Sequence, residues 1–386
     1  MTNHDIRAIA KRPTRRALKG IAIIVAIAAI SGVLAPRWGL PGPARAASLA
    51  DSGKAGIAWD AHSLHLVYRP SNGLGRHYAY APSVLLDAQG ELIWTCHNDA
   101  SGVIRDHIYY TYSRNGALQS RSVLSAGPAG AWDSFHTCDP SVVQASLSFR
   151  GQRFKYLMAY LGNDVNASAH NQIGLAAASS VDGPWTKLGA PVVTAVDDGT
   201  WGVGQPSLVA LDGTHFMLFY TDGNSFHTGG FWRLLDLTNA ARPKVGIAVA
   251  ITDAGLSASD GNLDYLNNFD VAFAPTIDRF YAVREQHPYP SGRPGYIGAS
   301  LQVVSISGRD LRSGGGAWRV EGEINPDLTG FPRNHNAGLV RNALGYIPDS
   351  HSLSVVFTRA CTDTPDYNCS TPEWSYDLWE ITGRLP

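Results

Sequence analysis

The chain has 386 residues with 31 Lys and Arg against 32 Asp and Glu, only 16% charged, and 40 Gly, 22 Pro, 10 Trp and 16 Tyr. Its net charge of −1 adds two unlike parts: residues 1–46 hold eight basic residues and one acid, Asp5, leaving 23 basic and 31 acidic residues, a net charge of −8, for the rest. This composition excludes a coiled coil, a disordered chain or a helical array, and so acidic a body argues against nucleic acid, which needs clustered Lys and Arg.

The N-terminus has the layout of an export signal: a basic stretch, an apolar core and a small-residue exit. Thr14-Arg15-Arg16-Ala17-Leu18 is twin-arginine-like, although Lys19 stands where a second apolar residue is usual. The apolar core, Ile21 to Ala35, is short of the ~20 residues a membrane span needs, and Ala44-Arg45-Ala46 offers a cleavage site. An uncleaved anchor is the rival reading. The expectation is a bacterial protein, secreted or periplasmic, with signal 1–46, a single domain 47–386 and no membrane contact after cleavage. Export permits disulfides. Cys361 and Cys369 flank a short polar loop, Cys96 and Cys138 could bridge neighbouring strands, and free buried thiols are the alternative, since spacing does not fix connectivity.

Beyond residue 47, short runs of Val, Ile, Tyr, Phe and Trp alternate with Gly, Asn, Asp and Pro turns, which reads as strands. A unit recurs. It opens with Ala81-Pro82-Ser83, Asp139-Pro140-Ser141, Gln205-Pro206-Ser207, Asp270-Val271-Ala272 and Asn336-Ala337-Gly338, at intervals of 58 to 66 residues. A turn and a second strand follow each opening: Leu92-Ile93-Trp94, Tyr156 to Tyr160, Phe216 to Tyr220, Phe280 to Val283 and Leu353 to Phe357. Third strands are expected at 107–112, 172–178, 231–237, 296–304 and 376–381. Radial repetition of small antiparallel sheets is the logic of a β-propeller. The predicted fold is all-β, a five-bladed propeller of about four antiparallel strands per blade. Two β-sandwich domains are the alternative, but they leave the repeated polar-Pro-Ser step unexplained. A closed propeller needs no partner to cover its edges, so a monomer is expected.

Several strings carry a resemblance. Asp139-Pro140-Ser141-Val142-Val143, Ile173-Gly174-Leu175-Ala176-Ala177-Ala178 leading to Asp182-Gly183-Pro184-Trp185, and Phe216-Met217-Leu218-Phe219-Tyr220-Thr221 resemble the five-bladed propeller glycoside hydrolases of families 43, 62, 32 and 68. The resemblance implies carboxylates on the innermost strands at one mouth of a central channel. In family 43 these are a base Asp from the first blade, a second Asp from the third and an acid Glu from the fourth. The opening steps here hold Ala81, Asp139, Gln205, Asp270 and Asn336, a departure from that plan. The family also implies a channel histidine that helps hold a metal or water. His335 is similar in placement, and with Gln205 and Asn336 it would offer a weak Ca²⁺ or Na⁺ site, although a solvated His is the plainer reading; no cofactor is required.

Glycoside cleavage needs two carboxyl groups. The expected pair is Asp270 as acid and Asp139 as base, from non-adjacent inner strands, which suits the roughly 6.5–9.5 Å of an inverting pair. Structural strand caps are the bland alternative. Glu285, in Arg284-Glu285-Gln286-His287, is the spare acid. Asp222 ends the equivalent strand of the third unit, and Asp106-His107 opens a third strand. Sugar faces stack on aromatics, and Trp132 and Trp201 are the expected platforms beside Gln205, His335 and Asn336. The sequence thus points to an exported glycoside hydrolase acting on a poly- or oligosaccharide. The alternative is a carbohydrate-binding propeller that lost its base, for which Ala81 and Gln205 speak. A protein-interaction propeller would have no need of the polar steps.

Overall fold

The computed structural model describes residues 56–70, 77–98, 105–114, 117–165, 169–195, 200–223, 228–291, 297–360 and 375–386. The expected signal 1–46 and the Cys361 and Cys369 pair lie outside them.

The first strand, β1 (Ala58–Tyr68), precedes the repeats. The first repeat holds β2 (His77–Asp87), β3 (Gly90–Asn98), β4 (Asp106–Arg114) and β5 (Ala117–Leu124), and the second β6 (His136–Phe149), β7 (Gln152–Asn163), β8 (Gln172–Ala178) and β9 (Thr186–Lys187). The third holds β10 (Gly202–Ala210), β11 (His215–Gly223), β12 (Thr228–Asp236), β13 (Lys244–Val245) and β14 (Val249–Ala250), and the fourth β15 (Phe269–Ala274), β16 (Arg279–Gln286), β17 (Ser300–Ser307) and β18 (Arg319–Ile324). The fifth holds β19 (Asn334–Arg341), β20 (Ser352–Ala360) and β21 (Ser375–Arg384). Two short helices, α1 (Gly308–Ser313) and α2 (Pro326–Thr329), flank β18.

These strands form four sheets. The second, third and fourth repeats each make their own. The largest has eight strands, in the order β1-β21-β20-β19-β2-β3-β4-β5, because β19 and β2 pair in parallel through Val340 with Val84 and Arg341 with Leu85. The outer strand β1, unforeseen in the sequence, pairs antiparallel with β21.

The first strand of each repeat lies deepest. All eight residues of β19 are buried. In β6 the first half is nearly continuously buried, whereas the second half alternates buried and exposed, the signature of a strand covered on one face only. Apolar clusters lie between consecutive repeats. Leu85, Trp94 and Ile108 meet Val142 and Met158. Val143 and Leu157 meet Leu208 and Phe216, and Val209 and Phe219 meet Val271 and Phe280. Val283 and Val303 meet Val355 and Phe357, and Val340 and Val356 return to Val84 and Ile93. The contacts run in a cycle, so every sheet buries both faces against its sequence neighbours.

The repeated serine explains itself in this cycle. Ser83 Oγ accepts from the amide of Val142 (3.0 Å), Ser141 Oγ from Leu208 (2.9 Å), and Ser207 Oγ from Val271 (3.0 Å). In the fourth repeat Asp270 Oδ2 does the same for the amide of Leu339 (2.9 Å). Each deep strand is stitched to the next. Within this ring lies Arg341, fully buried, whose Nη1 and Nη2 reach Ser83, Ser141 and Ser207 and the carbonyls of Leu208 and Val271. Asp270 is its counter-ion, 3.2 Å from Nη1.

Candidate functional site

Above that ring, five residues sit in the left-handed backbone region: Ala81 (φ 50°), Asp139 (44°), Gln205 (48°), Asn268 (44°) and Asn336 (36°). Positive φ is uncommon for residues other than Gly, and these five line one cavity. In β2, β6, β10 and β19 the strand register slips at this step, as in a β-bulge, which re-aims a side chain and frees a backbone amide. The freed amides have partners. Gln205 N donates to Asp139 Oδ2 (3.3 Å), and Asn336 N donates to Glu285 Oε1 (3.1 Å).

This geometry corrects the sequence alignment of the fourth repeat. The residue equivalent to Asp139 is Asn268, and Asp270 corresponds to the serines two residues further on. The sequence pattern misled because Asn268-Phe269-Asp270 lacks the proline of the first three repeats, so the aspartate was matched by type. Both oxygens of Asp270 are engaged, Oδ1 by the Ser207 hydroxyl (2.7 Å) and Arg341, Oδ2 by the Leu339 amide.

Three other carboxyls come together. Asp139 is buried (7% exposed). Burial pushes it up to about 7; the Gln205 amide and His335 oppose this, and Asp106 and Glu285 add to it. Glu285, from β16, is fully buried. Burial alone would raise it, but the charge and contact of His335, the Tyr289 hydroxyl and Asn268 outweigh this and hold it below the usual carboxylate range. Tyr289 donates to Oε2 at 2.7 Å and itself accepts from Asn267 Nδ2 at 3.0 Å, and His335 Nδ1 contacts Oε1. Asp106, at the start of β4, is also fully buried. It accepts from the hydroxyls of Tyr78 and Tyr80, the latter at 2.6 Å, and lies 3.6 Å from His136 Nε2. Burial, then the charge of Asp106, pushes the Tyr80 hydroxyl well up, so it stays a donor. Tyr78, Tyr80 and Tyr376 pack against one another beside these groups.

The remaining expected residues divide. Gln205 lines the cavity, and its buried Oε1 has no hydrogen-bond partner among the described residues. His335 and Asn336 belong to the setting of Glu285. Trp201 stands near Asp139: a Cβ built on Gly204 would lie 3.5 Å from its ring and 3.8 Å from Asp139 Oδ2. Trp132 instead packs over Gly162 and Gly174, stacked on Tyr160 with ring centroids 5.6 Å apart, and its Nε1 donates to the Gly189 carbonyl (3.3 Å). His107 is turned away, its Nδ1 accepting from the Ala126 amide (3.2 Å). Asp222, half-buried, pairs with Val203 near the end of β11. Asn268, Tyr289 and the Cys96–Cys138 disulfide, which joins β3 to β6 (Cα–Cα 5.0 Å), were missed as site components. The left-handed ring had a sequence signal in its fixed spacing to the stitching serines; Tyr289 had none.

The residues present do not fit a metal well. Among the described residues the groupings with metal-ligand spacing each include Cys96 or Cys138, and both sulfurs are committed to the disulfide. Nδ1 of His335 is committed to Glu285.

No protein-family model matches the chain, and no curated protein matches it in sequence. Solved structures do match in fold. A family 117 glycoside hydrolase from the marine bacterium Zobellia galactanivorans superposes with TM-score 0.56 at 11% identity, covering 85% of this chain and 90% of its own. An α-L-arabinofuranosidase from Podospora anserina, solved with cellotriose, gives 0.54 at 12% identity, covering 86% and 98%. A thermostable family-43 glycoside hydrolase gives 0.51 at 17% identity, covering 80% and 89%. This chain therefore has the all-β fold of the propeller glycoside hydrolases.

Proposed function

We propose that this protein is a glycoside hydrolase whose working carboxyls are Asp139 and Glu285. The observation that supports this most is that Asp139 lines the cavity with the buried Glu285 close enough to raise it by charge, in surroundings that drive the protonation of the two apart. Two titratable groups pushed in opposite directions are the mark of an acid and its ionised partner. Asp139, protonated up to about pH 7, protonates the leaving glycosidic oxygen. Glu285, ionised, activates water or stabilises the developing positive charge at the sugar carbon. This reverses the sequence-derived role of Asp139 and moves Asp270 to a supporting one. Gln205 Oε1 and the face of Trp201 orient the sugar. That the Podospora enzyme was solved in complex with cellotriose favours a carbohydrate ligand for this protein.

The test is sugar release from a panel of poly- and oligosaccharides by the wild type, Asp139→Asn, Glu285→Gln and Asp270→Asn. Release that survives Asp139→Asn or Glu285→Gln rejects the assignment. Ala81, Gln205, Asn268 and Asn336, neutral at four of the five ring positions, favour a second reading: a carbohydrate-binding propeller without turnover. Binding of one glycan with release from none would establish it.

The finer architecture belongs to the same proposal. The eight-stranded sheet reads as two blades fused through the short β19–β2 pairing, with β1 completing the last blade, which makes five. Residues 1–46 are an export signal cleaved before Ala47, and the mature protein is monomeric and secreted or periplasmic. N-terminal sequencing of the exported protein starting anywhere but near Ala47 would reject the cleavage site. Among the described residues no helix is long and apolar enough to cross a membrane.

A further inference from the structure

The cysteine pair lies against Asp139 on the side away from Gln205. Asp139 Oδ1 is 3.3 Å from Cys138 Sγ and 3.8 Å from Cys96 Sγ, and the Asp139 amide points at Cys96 Sγ at 2.9 Å. Both sulfurs are in the disulfide, so neither carries a hydrogen to donate. On its other face Cys138 Sγ is 3.1 Å from the Tyr80 hydroxyl, which is turned to Asp106. The bridge therefore separates two carboxyls. Asp106 keeps the tyrosine hydroxyls, and Asp139 Oδ1 is left facing sulfur.

We propose that the Cys96–Cys138 disulfide is a positioning element for Asp139: it holds the acid's carboxyl at the cavity and sets its proton affinity by presenting hydrogen-free sulfur to one oxygen while screening it from the Tyr80 donor. The physical argument is that a carboxylate gains stability from each donor it accepts from and loses it when apolar surface replaces water. Sulfur in a disulfide withholds the first and imposes the second. Reduction would break one S–S bond and put a proton on each sulfur, giving Oδ1 two weak donors at positions it already occupies. The other groups facing Asp139 are unchanged by that step: the Gln205 amide from β10, His335 from β19, Glu285 from β16 and Asp106 from β4 with its tyrosines and His136.

This inference rests on the proposed acid role, but its test does not need activity. In protein labelled with ¹³C at the aspartate carboxyl carbons, the Asp139 resonance is identified by its absence in Asp139→Asn and titrated in three forms. These are the oxidised protein, the protein reduced with a phosphine, which ends as the phosphine oxide with oxygen from water, and the Cys96→Ser/Cys138→Ser variant. The expected midpoint is near 7 when oxidised and lower by ~1 unit or more, a tenfold change in ionisation, in the other two. The Cys96→Ala/Cys138→Val variant fills the space without donors and should stay closer to the oxidised value. An unchanged midpoint in folded reduced and Ser/Ser proteins overturns the proposal. So does loss of the folded spectrum in every form lacking the bond, which would make the bridge a fold staple alone. If no glycan is cleaved, the acid role fails while the titration still decides the disulfide's effect. If one is cleaved, the basic limb of kcat/KM should move down with the midpoint.

Discussion

The mouth and the throat of the channel are built from the same strands and behave oppositely. In the throat, side chains two residues beyond each bulge turn to the neighbouring strand, and one buried arginine, Arg341, is offset by one aspartate, Asp270. At the bulges themselves the side chains turn to the cavity, where Asp139 meets two other carboxyls, Asp106 and Glu285, and few compensating charges. Residues two apart on a regular strand share a face; the left-handed bulge turns the earlier one to the cavity, so a repeat of a few residues writes both a fold-holding ring and a cavity-lining one. A carboxylate in the throat is a strut; a carboxylate at a bulge faces the cavity.

Four experiments press on that division. Arg341→Met should cost the most stability, about 3–5 kcal/mol, because it leaves Asp270 buried without its partner; denaturant unfolding reads this, and a loss under 1 kcal/mol would refute the strut. Glu285→Gln should lower sugar release by about 10²–10⁴-fold with the fold retained, checked by kinetics beside circular dichroism. Asp139→Asn should do the same to release but alter stability with a defined sign. Asp139's folded value, about 7, stands above its ordinary 3.8, so its contribution is full below pH 3.8 and is lost as pH rises through 7. The Asn variant escapes that loss, so its unfolding free energy, read by denaturant titration, should gain on the wild type from pH 4 to pH 8 by an amount on the order of a few kcal/mol; a constant difference would show that Asp139 is not buried protonated. Asp270→Asn should have the smallest effect on kcat/KM, within tenfold, while losing stability for the same reason as Arg341→Met, because it leaves that arginine buried without its counter-ion; a larger kinetic loss would return Asp270 to the chemistry.

Much of this was legible before any coordinates. The Pro-Ser steps, their spacing and the strand pairs behind them marked the repeats, because a deep strand buried on both faces must be written in apolar residues. Glu285 was legible as a spare acid from its place at the end of a second strand. Asn268 was not, because the fourth repeat spells the step without proline and places an aspartate where its relatives place serine. The ring at Arg341 hides for a related reason: a lone arginine in Leu339-Val340-Arg341 reads as a surface residue until four strands are seen around it. β1 escaped because an outer strand with mostly exposed or half-exposed side chains carries little apolar pattern.

That inconspicuous strand has a kinetic meaning. Among the described residues β1 pairs only with β21, Ala58 against Arg384 and Tyr68 against Leu378, so strands from opposite ends of the described fold lie side by side. Contacts so distant in sequence form slowly, since the whole intervening chain must be gathered first. A polypeptide emerging in order would therefore hold β1 as an unpaired edge until its last strand arrives. Trimming away β21 would strip pairing from β1, β20 and the start of β2, leaving each a template for another chain. Shortened forms of this protein should fail by clumping together rather than by losing a catalytic group.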